Sequence, residues 1–308
     1  MGTVEDARRG AGRIYGALTG PEVPSPRPRS RSAGPDRVRT IVRTAGEILI
    51  TLGVVVLLFV VYEVYVTDVI SAGKQQDATE ALDDQWQTTE PDQERVDHFD
   101  GLQPGEGFAK MYIPAFGTDF HFTIVEGTSD KALEIGPGHY LDTPYPGQPG
   151  NFAVAGHRVG KGAPFNDLDL LTSCDAIIVE SRNAWYIYRV LPMKDEAGRW
   201  EQVKQDKPRC NVTGSQGRAQ QVEPLKGEYT DTHGMEIVRP SEGAVIADVP
   251  HKPNAKVNKA DQVALLTLTT CHPKFSDRQR LIVHATLVDQ WAKNPDQPDS
   301  RPAELKEG

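Results

Sequence analysis

Cys271 ends a strand-like run, LLTLTTC, and nine positions later Arg280 opens a second one, RLIVHATLV. A thiol attacks only as the thiolate, which forms most readily in partly open, electropositive surroundings. Arginine is permanently charged, so beside a thiol it can favour the thiolate and also hold an oxyanion or a peptide carbonyl. A cysteine nucleophile needs a proton acceptor too, normally histidine. The chain has eight: His98, His121, His139, His157, His233, His251, His272 and His284. Most are expected to be surface or packing residues. His157 is the best placed, because the apolar stretch Phe152–Ala155 ends in Gly156, which frees the backbone to present the next side chain. The chemistry implied is nucleophilic attack by a thiol.

The corner that carries Cys271 and Arg280 follows from two strands. Val263–Thr270 and Leu281–Val288 both read as extended and apolar, with a short turn between. Paired antiparallel, they bring Cys271 at the exit of one beside Arg280 at the entry of the other. Arg278 lies two positions earlier and shares a face with Arg280 on an extended chain, so it is a second candidate. Arg280 is preferred because it directly precedes the apolar run. His272 would point to the opposite face from Cys271, and reads as a loop residue rather than as the base.

Similar short β-type runs recur from residue 105 onward: AKMYIPAFG, FHFTIVEG, NFAVAGHR, AIIVE, AWYIYRVL and MEIVRP. Only Thr128–Ile135 and Pro164–Leu171 look helical. Many short strands with few helices indicate a mainly β sandwich or barrel. Residues 190–260 have a weaker pattern and are expected to form an insertion or lid beside the site.

Charge divides the chain further. Residues 1–46 carry nine arginines against four acids and are expected to be a basic disordered tail, whereas residues 77–100 are strongly acidic with Arg95 as their one Lys or Arg. Between these regimes lies ILITLGVVVLLFVVY, Ile48 to Tyr62, without a charge. The run to Val66 spans roughly 28 Å as a helix, close to a bilayer's hydrocarbon core. Residues 47–66 therefore read as one N-terminal transmembrane helix that anchors the chain in a lipid bilayer. The positive-inside rule makes the N-terminus cytoplasmic and the domain extracellular. Residues 67–104 read as an acidic stalk, partly helical around Asp77–Trp86, 105–288 as the folded domain, and 289–308 as a polar disordered tail. Outside the cytoplasm Cys174 and Cys210 could pair as a disulfide, leaving Cys271 alone, and two unpaired buried thiols fit the sequence equally. No basic face interleaved with aromatics points to nucleic acid, no ligand cluster points to a metal, and no cofactor is expected.

GHR at His157, TLTTC at Cys271 and the arginine at Arg280 resemble the sortase family. More narrowly, GPGHYLDTPYPGQPGNFAVAGHR and TLTTCHPKFSDRQRLIV are similar to the class E sortases of actinobacteria. The resemblance covers about residues 105–288. It implies an eight-stranded sortase β-barrel with short helices, working as a transpeptidase at the cell surface. It further implies a C-terminal LAXTG-like sorting signal as substrate, a thioacyl intermediate, and a peptidoglycan precursor amine as acceptor. By resemblance Cys271 is the nucleophile, His157 the general acid and then base, and Arg280 the group that orients substrate and stabilises the oxyanion. Thr270 is a weaker candidate for contact near the oxyanion, and His139 and Tyr140 in GPGHY are candidates to line the sorting-signal groove.

Other readings of the same residues differ in residue order. An L,D-transpeptidase would place its cysteine in an SxGC-type motif, which is absent. A papain-like hydrolase would place cysteine before histidine. A non-catalytic surface β-module would make Cys271 a packing residue and its juxtaposition with His157 and Arg280 a coincidence.

Overall fold

The computed structural model describes residues 35–62, 66–88, 97, 99–214, 216–294, 296–297 and 300–308. The basic tail up to residue 34, and residues 89–96 of the expected stalk, lie outside the described residues. The chain divides into two units after Val54. Helix α1 (Pro35–Val61) crosses that division. Over Arg37–Val61 it is long and apolar enough to cross a membrane, and its apolar side chains from Ile48 to Val61 are exposed.

In the second unit, alternating apolar residues build strands β1 (Gly107–Tyr112), β2 (His121–Glu126), β3 (Gly138–His139), β4 (Gly150–Ala155), β5 (Ala176–Glu180) and β6 (Ala184–Val190). Short strands β7 (Asn211–Thr213), β8 (Ala219–Gln221) and β9 (Met235–Val238) follow, and then the long β10 (Ala264–His272) and β11 (Gln279–Ala292). Hydrogen bonding runs β10-β4-β3-β2-β1-β5-β6-β11, and β10 pairs again with β11, so eight strands close into a barrel. Closure removes the free edges that an open sheet would expose. Phe152, Ile124, Met111, Ile177, Tyr188, Leu266, Leu268 and Val283 belong to its interior. Only short helices interrupt it, α3 (Asp130–Leu133) and α4 (Trp200–Val203) among them.

Strand β10 is buried on both faces because the region after β6 folds back over it. Leu191, Tyr229 and Val249 cover Leu265. A disulfide from Cys210 ties this region to Cys174, just before β5, and packs with Trp200 and Val222. Strand β9 leaves the insertion to pair antiparallel with β11, placing Val238 opposite Arg280.

Two segments differ from the sequence reading. The stretch expected as a stalk opens with helix α2 (Thr67–Thr88), which lies against β1 and β2. Leu82 is buried there, Gln75 donates to the Ile135 carbonyl at 2.8 Å, and the Thr79 and Thr123 hydroxyls are 2.7 Å apart. An acidic helix with a few well-spaced small and apolar residues needs only one narrow contact stripe, which average composition hides. The polar C-terminal tail is also held. Strand β11 runs on to Ala292, and the Glu307 carboxylate takes bonds of 3.0 and 2.8 Å from the fully buried Arg189. A buried guanidinium requires a counter-charge, and the last residues supply it.

Candidate active site

Strand register assembles the site. Strands β4 and β10 run parallel, with Ala155 opposite Thr269 in the last paired position. The alignment continues one residue further, since the Gly156 N–H donates to the Thr269 carbonyl at 3.0 Å and the Thr270 hydroxyl donates to the Gly156 carbonyl at 2.7 Å. His157 and Cys271 each stand two residues beyond the Ala155–Thr269 pair, at the same end of neighbouring strands roughly 4.8 Å apart. On the other side Cys271 is directly opposite Arg280 in the antiparallel β10–β11 pair. Directly opposed residues share a face, with Cβ atoms about 5 Å apart. Histidine, cysteine and arginine therefore form a row across three adjacent strands.

Cys271 is half-buried and carries a free thiol. It shares an open cleft with His157, Arg158, Val159, Phe275, Ser276 and Asp277. His157 Nε2 is buried and has no hydrogen-bond partner among the described residues. Burial, with a smaller contribution from the Lys161 charge, holds the His157 imidazole below its ordinary pKa, against the opposing charges of Asp130 and Glu134. The neutral ring is thus favoured near neutrality. The Arg280 guanidinium donates through one nitrogen to the Asp277 and Gln279 carbonyls at 2.8 and 3.0 Å. That leaves three of its five N–H donors for another acceptor.

Gly156 owes its place to space. An added Cβ would stand 2.5 Å from the ring of Phe165, a fully buried side chain whose N–H donates to the His157 carbonyl at 3.0 Å. No larger residue fits between the β4 end and this ring.

Comparison with known proteins bears on what such a row can do. Residues 111–288 match the sortase domain. The chain belongs to the sortase family. It is 28% identical over 281 residues to sortase SrtE1 of Streptomyces coelicolor, covering 89% of this chain and 65% of that relative. It therefore spans just under two thirds of that relative's length. Sortase SrtE2 of the same organism is 28% identical over 253 residues, covering 80% of this chain and 82% of the relative. The solved SrtF sortase of Corynebacterium diphtheriae superposes with a TM-score of 0.56 at 43% identity, covering 69% of this chain and 98% of that one. The Streptomyces relatives place the chain with the class E sortases, and sortases are cysteine transpeptidases.

The remaining sequence candidates lie at different depths in the sortase barrel. His139 is fully buried, with Nδ1 3.0 Å from a Glu126 carboxylate oxygen and Nε2 3.1 Å from the Thr143 carbonyl. It cannot line a groove, because its ring is enclosed and both nitrogens are occupied. The Tyr140 hydroxyl lies 3.0 Å from that of Thr269, tying the GPGHY turn to β10. Thr270 is buried and spends its hydroxyl on Gly156, so it braces the two strand ends rather than facing the cleft.

Sequence reasoning passed over Arg158. Only 3% exposed, its guanidinium donates to His272 Nδ1 at 2.7 Å and to the Cys271 carbonyl at 3.4 Å, and pairs with Asp169 at 3.0 Å. Since arginine only donates, His272 Nδ1 is the acceptor in this bond. One side chain thus joins the His157 turn to the backbone of Cys271. Its adjacency to His157 in GHR was the available signal. Among the described residues, no set of three His, Cys, Asp or Glu side chains is arranged to hold a metal ion.

Proposed function

We propose that the protein is a membrane-anchored transpeptidase that cleaves an LAXTG-like sorting signal between Thr and Gly and joins the new carboxyl end to a cell-wall amine. The observation that carries this reading is the row of His157, Cys271 and Arg280 set by the β4–β10 and β10–β11 registers. Neutral His157 takes the proton of the Cys271 thiol, the thiolate attacks the threonine carbonyl carbon, and the carbonyl oxygen becomes an oxyanion beside the free Arg280 donors. As the tetrahedral intermediate collapses, the C–N bond breaks, and protonated His157 gives its proton to the departing glycine amine. The threonine acyl group remains on sulfur as a thioester. Neutral His157 then takes a proton from the incoming amine of a peptidoglycan precursor, whose nitrogen attacks the thioester and releases the thiolate. Each half-reaction restores what the other consumed, so no cofactor is required.

Anchoring through Arg37–Val61, with a cytoplasmic N-terminus and an extracellular barrel, suits a substrate that is itself delivered to the membrane surface. Incubation of the protein with an LAXTG-type peptide and an amine, read by mass spectrometry, should give cleavage after threonine and the amide adduct. Cys271→Ala should abolish both products and the trapped thioester. Wild-type turnover in that variant would show that another group is the nucleophile.

A further inference from the structure

The four residues directly after Val159 share a backbone oddity. Gly160, Lys161, Gly162 and Ala163 all have positive φ, at 63°, 52°, 74° and 36°. Left-handed backbone costs about 1–2 kcal/mol per residue other than glycine and seldom runs on, so a turn of this kind persists only where its surroundings hold it. Those surroundings come from helix α2. The Asp68 carboxylate accepts the Gly162 N–H at 3.0 Å. Ser71, 4% exposed, closes over the same glycine, whose missing Cβ would stand 3.7 Å from the serine Cβ. One turn further along, Lys74 pairs with Glu134 at 2.7 Å, and the other Glu134 oxygen reaches Lys161 at 3.5 Å.

We propose that helix α2 is part of the active site, with Asp68, Ser71 and Lys74 acting as positioning residues that hold the left-handed 160–163 turn and thereby fix His157. The inference rests on the proposed catalytic role of His157. Two routes connect helix to histidine. The first is mechanical, since the turn leaves directly from His157-Arg158-Val159, and Arg158 in turn grips Cys271 and His272. The second is electrostatic. Lys161 and Glu134 both act on the imidazole, in opposite senses, and Lys74 decides how much of the Glu134 charge is left uncompensated. The charged and titratable groups around His157 are Arg158, Lys161, Cys271 and Asp277 from its own side of the cleft, Asp130 and Glu134 from the α3 region, and Arg280 from β11.

The test uses the full chain carrying Asp68→Ala, Asp68→Asn, Lys74→Met and, as a control on the same helix, Asp83→Asn, which loses only the distant ion pair with Lys110. Peptide turnover and the NMR titration of His157 are read together with melting temperature. Asp68→Ala should lower kcat roughly tenfold with KM little changed, as expected for a displaced catalytic group. Asp68→Asn keeps an oxygen acceptor for the Gly162 N–H and should restore most of kcat. Lys74→Met bares the Glu134 charge and should raise the His157 titration midpoint by a few tenths of a pH unit, the size expected of partly exposed charges. Unchanged kcat and midpoint in Asp68→Ala and Lys74→Met would overturn the proposal. So would equal losses in Asp83→Asn, which would reduce α2 to general packing. If the wild-type chain turned over no sorting peptide, the catalytic reading would fail by itself, while the His157 midpoint would still report whether α2 reaches the histidine.

Discussion

Gly156→Ala tests the assembly of the site most directly. The added methyl would lie 2.5, 2.7 and 2.9 Å from three atoms of the Phe165 ring, where ordinary carbon contacts begin near about 3.5 Å. About 1 Å must therefore be found. The glycine backbone cannot give it freely, being bonded on one side to Thr269 and on the other to Thr270. Phe165 is enclosed by the core, and its N–H holds the His157 carbonyl, so ring and histidine move together. Overpacking of this kind costs about 1–3 kcal/mol, or roughly 5 °C in melting temperature for a domain of this size. A displacement near 1 Å at a catalytic group costs on the order of 100-fold in rate. Peptide turnover by mass spectrometry and calorimetry measure the two effects separately. Trimming the ring in Gly156→Ala/Phe165→Leu should recover at least about tenfold of kcat/KM, a coupling that a double-mutant cycle isolates. Turnover within threefold of wild type in Gly156→Ala, or no recovery in the double variant, would refute the claim that this contact seats His157.

Other expectations concern separate parts of the molecule. Arg280→Ala should lower kcat/KM by about 100-fold, the usual loss of an oxyanion donor, while Arg278→Ala, whose side chain is exposed, should stay within a few-fold. Reduction of the Cys174–Cys210 bond, which closes a loop of 36 residues, should cost about 4 kcal/mol on the chain-entropy view, seen as a melting temperature lower by roughly 10 °C. Stability should also fall with acid. Burial holds His284 below its ordinary pKa despite the adjacent Glu236, so below about pH 6.5 the unfolded chain binds the proton and the folded one resists it. Burial alone would push Glu236 up, but its bonds to His284 and His251 outweigh that and leave it lowered, so its contribution is present at neutral pH and lost as pH falls. Thermal melts between pH 7 and pH 4 should show the decline, and His284→Gln should flatten it near pH 6.

The parts of the site that were legible in the sequence are those set by local pattern. LLTLTTC and RLIVHATLV show their strands by apolar content, and the short turn between them leaves few ways to pair, so Cys271 and Arg280 could be placed face to face. His157 was legible as chemistry but not as geometry, because the parallel β4–β10 register joins segments more than a hundred residues apart. His139 was misjudged because a polar residue in a Gly- and Pro-rich turn normally faces water, whereas here the Glu126 carboxylate draws it inside. The C-terminal segment deceived for a related reason. Its composition is that of a loose tail, and only the burial of Arg189, 118 residues earlier in the chain, gives Glu307 a fixed partner. Helix α2 was read from its acidity, while its docking also uses Ser71, Gln75, Thr79 and Leu82, which carry no charge.

The parallel pairing of β4 with β10 also dictates when the molecule becomes competent. Parallel strands cannot be joined by a tight hairpin, and here the connection carries β5, β6 and the whole insertion before β10 begins. Loop-closure entropy delays such distant pairings relative to local hairpins such as β5–β6 and β10–β11. During synthesis the histidine turn exists long before its cysteine does, and Arg280 is made last of the three. A growing chain therefore carries no assembled thiol site until its barrel is ready to close, so the reactive centre is born already enclosed by the strands that seat it.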